Sequence, residues 1–204
     1  LDYPADSMAW TADDREALAR AVRERTKPIV VVANKVDEAP AGNVARLLDL
    51  DVPVVPATAH GELALRRGAE AGAVAYDPGD PSFEVTGDLP EGQRALLSDL
   101  RATMAEYDGT GVQRALDYAV YDLLDRVTAY PVQDAAKWTD GAGNALPDAL
   151  LLARGSTPLD LAYAVHSDIG AGYLHAVNAR TNREIGEEYE LEEGDVIRIV
   201  STAN

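Results

Sequence analysis

Residues 27–40, KPIVVVANKVDEAP, constrain the fold more than any other stretch. Ile29, Val30, Val31 and Val32 are β-branched and uninterrupted, the pattern of a strand with both faces covered, as in a parallel sheet. A second run of this kind, VPVVPATA at 52–59, follows a helical stretch at 42–50. Ahead of the first strand, expected over 27–33, residues 11–26 read as a helix. Thr11 stands as its N-cap with Asp14 three residues on, a capping-box spacing, and Leu18, Ala21 and Val22 recur at helical intervals. Helix, strand, helix, strand in that order is half of a doubly wound α/β domain.

The pattern then changes. Residues 62–71 are helical in spacing, and YDPGDPSFEVTGDLPEG is rich in turn formers. Two longer helices are expected, one over 90–107 with Leu96, Leu97, Leu100 and Met104 on one face, and one over 112–128 with Leu116, Val120, Leu123 and Val127. Beyond Pro131 strand signals return. ALLLAR reads as a strand, and GSTPLDLAYAVHSDIG as a helix with Thr157 as N-cap, Pro158 at its first position and Gly170 as C-cap. YLHAVNARTNREIG reads as a hairpin and DVIRIV as a closing strand. These elements form a compact α+β module separate from the first domain.

The chain has 204 residues and a formal net charge of −17, from 35 acidic and 18 basic residues. The acids are scattered along the whole length, which favours adaptation to a high-salt interior over a dedicated acidic docking tail. Such a charge opposes whole-molecule steering to nucleic acid, so an RNA contact would have to be local, and Arg180, Arg183 and Arg198 are the candidates. There is no cysteine, so thiolate metal sites and disulfides are excluded. His60, His166 and His175 lie too far apart in sequence to suggest a metal site; capping or packing roles suit them better. Trp10 and Trp138 read as packing residues. No run is apolar for the roughly 18 residues that span a bilayer. A soluble, cytoplasmic protein without a membrane partner is expected.

Candidate chemistry sits where the first strand runs out. In open α/β sheets ligands lie outside the carboxyl ends of the strands, and there the chain places Asn34, Lys35 and Asp37. A carboxylate accepts two parallel N–H donors at once. Guanine offers such a pair at N1 and its exocyclic amine, whereas adenine offers an acceptor at N1 and would leave the acid unpaired, at a cost of about 1–3 kcal/mol. Asp37 is therefore the candidate base reader. Asn34 is suited to the N7 side of the base and to tying loops together, and the Lys35 stem to lying across the base plane. Thr58 and Ala59, at the end of the second strand, could offer a backbone N–H to the guanine O6.

The run N-K-V-D matches the fourth motif of P-loop GTPases, and P-A-T-A resembles the fifth with Thr in place of the usual Ser. ARGSTPLDLAYAVHSDIGAGYLHAVNARTNREIG and LEEGDVIRIVS resemble a TGS domain, the β-grasp module of some GTPases, threonyl-tRNA synthetases and stringent-response enzymes. Together they resemble the Obg-like, YchF subfamily of translation-factor-related GTPases, in its archaeal branch. No aminoacylation motifs follow the TGS-like stretch, which disfavours the synthetases. The resemblance implies an α/β fold: the C-terminal part of a GTPase domain over 1–130, with a helical insertion at about 61–108, followed by a β-grasp domain over 131–204. It also implies GTP or GDP as ligand, Mg²⁺ in the full-length parent only, a ribosomal or RNA partner for the tail, and a monomer at full length.

Two departures matter. Many members of the subfamily alter the motif and prefer ATP, so the intact Asp37 implies GTP. In addition, G-x-x-x-x-G-K-[ST] is absent from the 204 residues, and no D-x-x-G precedes Lys35. Those segments hold and activate the triphosphate, so these 204 residues are not expected to hydrolyse GTP by themselves. Leu1 in place of an initiator Met and the half-sheet lead to the expectation that this is the C-terminal part of a longer GTPase. The rival expectation is a non-catalytic adaptor acting through the TGS-like domain alone.

Overall fold

A computed structural model describes residues 10–202, which divide into two compact units between Ala119 and Val120. In the first unit, α1 (Ala12–Thr26) opens with a reciprocal cap: Thr11 Oγ1 accepts the Asp14 N–H at 3.2 Å, and Asp14 Oδ2 accepts the Thr11 N–H at 2.8 Å. None of its residues is buried. Strand β1 (Val31–Asn34) runs parallel to β2 (Val54–Ala57), with α2 (Ala41–Leu48) between them in sequence. The register pairs Val31 with Val54 and Asn34 with Ala57, so the two strands end side by side. That register sets the two strand-end loops next to each other.

After β2 come α3 (Ala59–Glu70), a two-stranded hairpin of β3 (Val74–Ala75) and β4 (Glu84–Val85), and α4 (Glu91–Tyr107). These close around a core of Leu65, Val74, Tyr76, Phe83, Leu100 and Met104. Full burial of side chains such as Leu65 and Met104 contributes about 1.5–3 kcal/mol each. The Arg101 guanidinium lies over the Phe83 ring, 4.8 Å from its centroid. Helix α4 stops at Asp108 in the left-handed region (φ 57°), and a turn through Gly109, Thr110 and Gly111 leads into α5 (Val112–Asp117).

The second unit is a five-stranded mixed sheet in the order β6-β5-β9-β7-β8, formed by β5 (Arg126–Val132), β6 (Leu150–Ala153), β7 (Tyr173–Asn178), β8 (Arg183–Ile185) and β9 (Asp195–Ser201). Strands β5 and β9 are parallel neighbours; the other pairings are antiparallel. Helix α6 (Pro158–Val165) buries Leu161 and Ala162 completely against a core that includes Val127, Ala129, Ala176, Leu191 and Ile197. Its start is locked by a second capping box, Thr157 with Asp160. A short α7 (Ser167–Ala171) follows.

Several expectations from sequence are corrected. The helix expected over 112–128 ends at Asp117, continues as a π-helical turn, Tyr118–Leu123, and gives way to β5. Val127 fits the helical spacing by coincidence; in RVTAYPV it alternates with Ala129 toward the sheet core. Strand β1 begins at Val31 and not at residue 27, because Lys27 caps α1. Ile29 and Val32 are nearly half exposed, so the described residues do not cover both faces of that strand. Leu96 is 70% exposed and drops out of the α4 stripe. The helix expected through Gly170 breaks at His166, which is extended (φ −162°, ψ 143°), and α7 is capped by Gly172.

Candidate functional site

Asn34 is the last residue of β1, and its side chain bridges the two strand-end loops. Its Oδ1 accepts the N–H of Lys35 at 2.8 Å and the N–H of Ala59, twenty-five residues away, at 3.1 Å. Lys35 turns the chain with φ 68°, the left-handed region. The turn is held by Val36 N–H on the Ala57 carbonyl at 3.3 Å and Glu38 N–H on the Lys35 carbonyl at 3.1 Å. Val36 is buried, and Asp37 is exposed and without a hydrogen bond or ion pair among the described residues. With Oδ1 engaged twice, the Nδ2 donor of Asn34 has no acceptor among the described residues. The loop thus presents one amide donor and one carboxylate with free acceptor oxygens.

The second loop is more deeply anchored. Thr58 is fully buried and caps α3, its Oγ1 accepting the Gly61 N–H at 3.1 Å. Its own N–H donates to the Thr110 carbonyl at 2.8 Å. The Gly109–Gly111 turn is therefore part of the loop's support. Gly111 (φ 77°) admits no side chain, because a Cβ there would collide with the Pro56 carbonyl oxygen. Since the Ala59 N–H is taken by Asn34, the backbone donor suggested for the guanine O6 is engaged within the protein.

Behind this loop lies a polar cluster that the sequence pattern did not single out. Glu62, 4% exposed, accepts from Arg66 Nε at 2.6 Å on one carboxylate oxygen. Its other oxygen accepts from Tyr76 Oη at 2.6 Å and Thr110 Oγ1 at 2.5 Å. Burial pushes its carboxyl up, but the hydrogen bonds from Thr110, Tyr76 and Arg66 outweigh that and hold it below the ordinary glutamate value. Burial and the neighbouring carboxylate push the Tyr76 phenol up. A readable signal existed: Glu62 falls on the same helical face as Leu65 and Ala69, an acid within an apolar stripe.

In the second unit the three candidate arginines do not form one patch. Arg180 donates through Nε to the Gly194 carbonyl at 2.6 Å and stacks 5.2 Å from the centroid of Trp138. Arg183 pairs with Asn178, which pairs with Ile197 on the core-facing row. Arg198 pairs with Val177 in the next row, so Arg183 and Arg198 point to opposite faces of the sheet. His166 Nδ1 accepts the Asp168 N–H at 3.1 Å, a capping role. No helix among the described residues is long and apolar enough to cross a membrane.

Comparison with known proteins matches residues 32–134 to the "Obg-like GTPase YGR210-like, G4 motif-containing domain" and residues 142–201 to the TGS domain. The chain is 38% identical over 207 residues to an uncharacterized GTP-binding protein of Methanocaldococcus jannaschii, covering 99% of this chain and 52% of that one. It is 26% identical over 170 residues to an uncharacterized GTP-binding protein of Schizosaccharomyces pombe, covering 77% and 41%. Among solved structures, a GTP binding protein from Pyrococcus horikoshii OT3 superposes with a TM-score of 0.72 at 38% identity, over 98% of this chain and 53% of that one. The chain spans about half the length of these relatives.

Proposed function

The chain belongs to the Obg-like GTPases of the YGR210-like type and carries a TGS domain, and on that premise we propose that it supplies the guanine-recognising part of a GTP-binding site. The observation that carries this reading is the Asn34–Ala59 hydrogen bond, which holds the two strand-end loops together while leaving Asp37 exposed and unpaired among the described residues. A carboxylate in that setting matches the N1–H and amino donors of guanine and has no counterpart on adenine. Asn34 Nδ2 serves as donor toward N7, the Lys35 stem flanks the base, and Ala59 forms the adjoining wall, held from behind by the buried Thr58. The residues present fit the base and not the phosphates, because no phosphate-binding loop occurs in the 204 residues. Hydrolysis, and the Mg²⁺ that accompanies a triphosphate, belong to the full-length protein.

The TGS domain is read as the docking module, with a ribosomal or RNA partner engaged locally, since the net charge of −17 opposes general attraction to a polyanion. Arg198 and the Arg180–Trp138 stack are its candidate contacts. A binding curve on ribosomal RNA that loses affinity with rising salt, and loses it again in Arg198→Ala, supports this.

The test of nucleotide recognition is a titration of the full-length protein with GDP and with ADP. Preference for GDP that vanishes in Asp37→Ala supports the proposal. Equal, weak binding of both by the wild type supports the adaptor reading, in which the TGS domain acts alone.

A further inference from the structure

Glu62 is an expensive residue to place where it is. A buried carboxylate must recover its lost hydration from donors held in fixed positions, and apolar replacements of similar size commonly give equal or greater stability. What a fully satisfied buried polar cluster does provide is a specified geometry. Here that geometry leads outward. Glu62 holds the Thr110 hydroxyl, the Thr110 carbonyl holds the Thr58 amide, and Thr58 precedes Ala59, whose amide is held by Asn34. In the turn carrying Thr110, Asp108, Gly109 and Gly111 all have positive φ, a conformation rarely taken by a non-glycine residue such as Asp108.

We propose that Glu62, with Thr110 and Tyr76, is a positioning unit for guanine selectivity: it fixes the Thr58–Ala59 loop so that Asn34 and Asp37 meet the base in one arrangement. This rests on the reading of Asp37 given above. None of the three touches the nucleotide; they act through Thr58. Tyr76 and Arg66 fill the other two donor positions on the carboxylate.

Thr110→Val keeps the shape of the side chain and removes the hydroxyl; Thr110→Ser keeps the hydroxyl and removes the methyl. Two measurements on the full-length protein separate the possibilities. The first is hydrogen exchange of the Ala59 amide without nucleotide. It should be about tenfold faster in Thr110→Val than in wild type and near wild type in Thr110→Ser, since a lost hydrogen bond of ordinary strength corresponds to about a factor of ten. The second is the ratio of GDP to ADP affinity, which should fall by about the same factor in Thr110→Val and be restored in Thr110→Ser. Unchanged Ala59 exchange in a folded Thr110→Val overturns the positioning role whatever the nucleotide result. A wild type that binds GDP and ADP alike overturns the Asp37 reading and with it the selectivity claim. If Thr110→Val does not fold, Glu62→Gln, which offers one acceptor oxygen to three donors, takes its place in both measurements: faster Ala59 exchange with a lower GDP-to-ADP ratio supports the positioning role, and unchanged exchange overturns it.

Discussion

The side-chain oxygen of Asn34 and the backbone amide of Ala59 lie 3.1 Å apart across the ends of two parallel strands. The pair turns a strand register into a tie between two loops, because Asn34 sits beside Ala57 in the ladder and so reaches the loop that follows it. Asn34→Ala should cost about 1–2 kcal/mol in urea unfolding, since the Lys35 and Ala59 amides both lose their acceptor. Asn34→Asp keeps an acceptor for both, while it replaces the Nδ2 donor by an acceptor oxygen and adds a negative charge. Stability close to wild type with weakened GDP binding is expected from Asn34→Asp; equal loss of both properties in the two variants would show that the side chain serves the fold alone.

Gly111 tests the support behind the loop. Alanine there must take a positive φ and place its Cβ against the Pro56 carbonyl oxygen. Backbone strain of this kind costs about 1–3 kcal/mol before the clash is counted. A melting temperature well below wild type is expected, and one within a degree would mean that the turn does not pack against β2 as described.

The Glu62 cluster also predicts a pH dependence. Its folded-state pKa is depressed below the ordinary 4.5, so the carboxylate contributes stability that is present above that value and is lost as pH falls through the depressed one. Unfolding free energy followed from neutral pH into the acid range should decline for wild type. In Glu62→Gln the neutral-pH value should be lower and this part of the acid decline smaller. Parallel curves for the two proteins would contradict the assignment.

In the TGS domain, Asp195 is buried and accepts from Asn178 Nδ2 at 2.8 Å, from the Glu192 amide at 3.0 Å and from Tyr189 Oη at 3.1 Å. Asp195→Ala removes the acceptor of the Glu192 amide and the Tyr189 hydroxyl and leaves Asn178 Nδ2 only its 3.4 Å bond to Tyr189 Oη, and should cost on the order of 3 kcal/mol in chemical unfolding. Tyr189→Phe removes a single donor and should cost about 1 kcal/mol.

How far the sequence reached depended on whether a signal was local. Caps were legible because they are short-range relations: the Thr11–Asp14 box and the Thr157 N-cap form as expected, and Asp160, not singled out from sequence, completes a box at the second. The N-K-V-D segment was legible because a β-branched run and a polar end fix its place at the strand terminus. The helix expected through Val127 failed because four apolar residues at helical spacing also suit a helix followed by an alternating strand, and only the partner strands β6 and β9 decide. Glu62 was missed because its partners, Thr110 and Tyr76, are forty-eight and fourteen residues away. The placement of the candidate arginines was hidden for a related reason: sheet register, not sequence distance, sends Arg183 and Arg198 to opposite faces.

The most direct test of base reading exchanges the hydrogen-bond pattern instead of deleting it. Xanthine keeps the N1–H of guanine and replaces the exocyclic amine by an oxygen, so it suits an amide, with one acceptor and one donor, where guanine suits a carboxylate. Binding of GDP and xanthosine diphosphate should therefore be measured on full-length wild type and Asp37→Asn. The account predicts that wild type prefers GDP and that Asp37→Asn prefers xanthosine diphosphate. An unaltered order of preference in Asp37→Asn would contradict it.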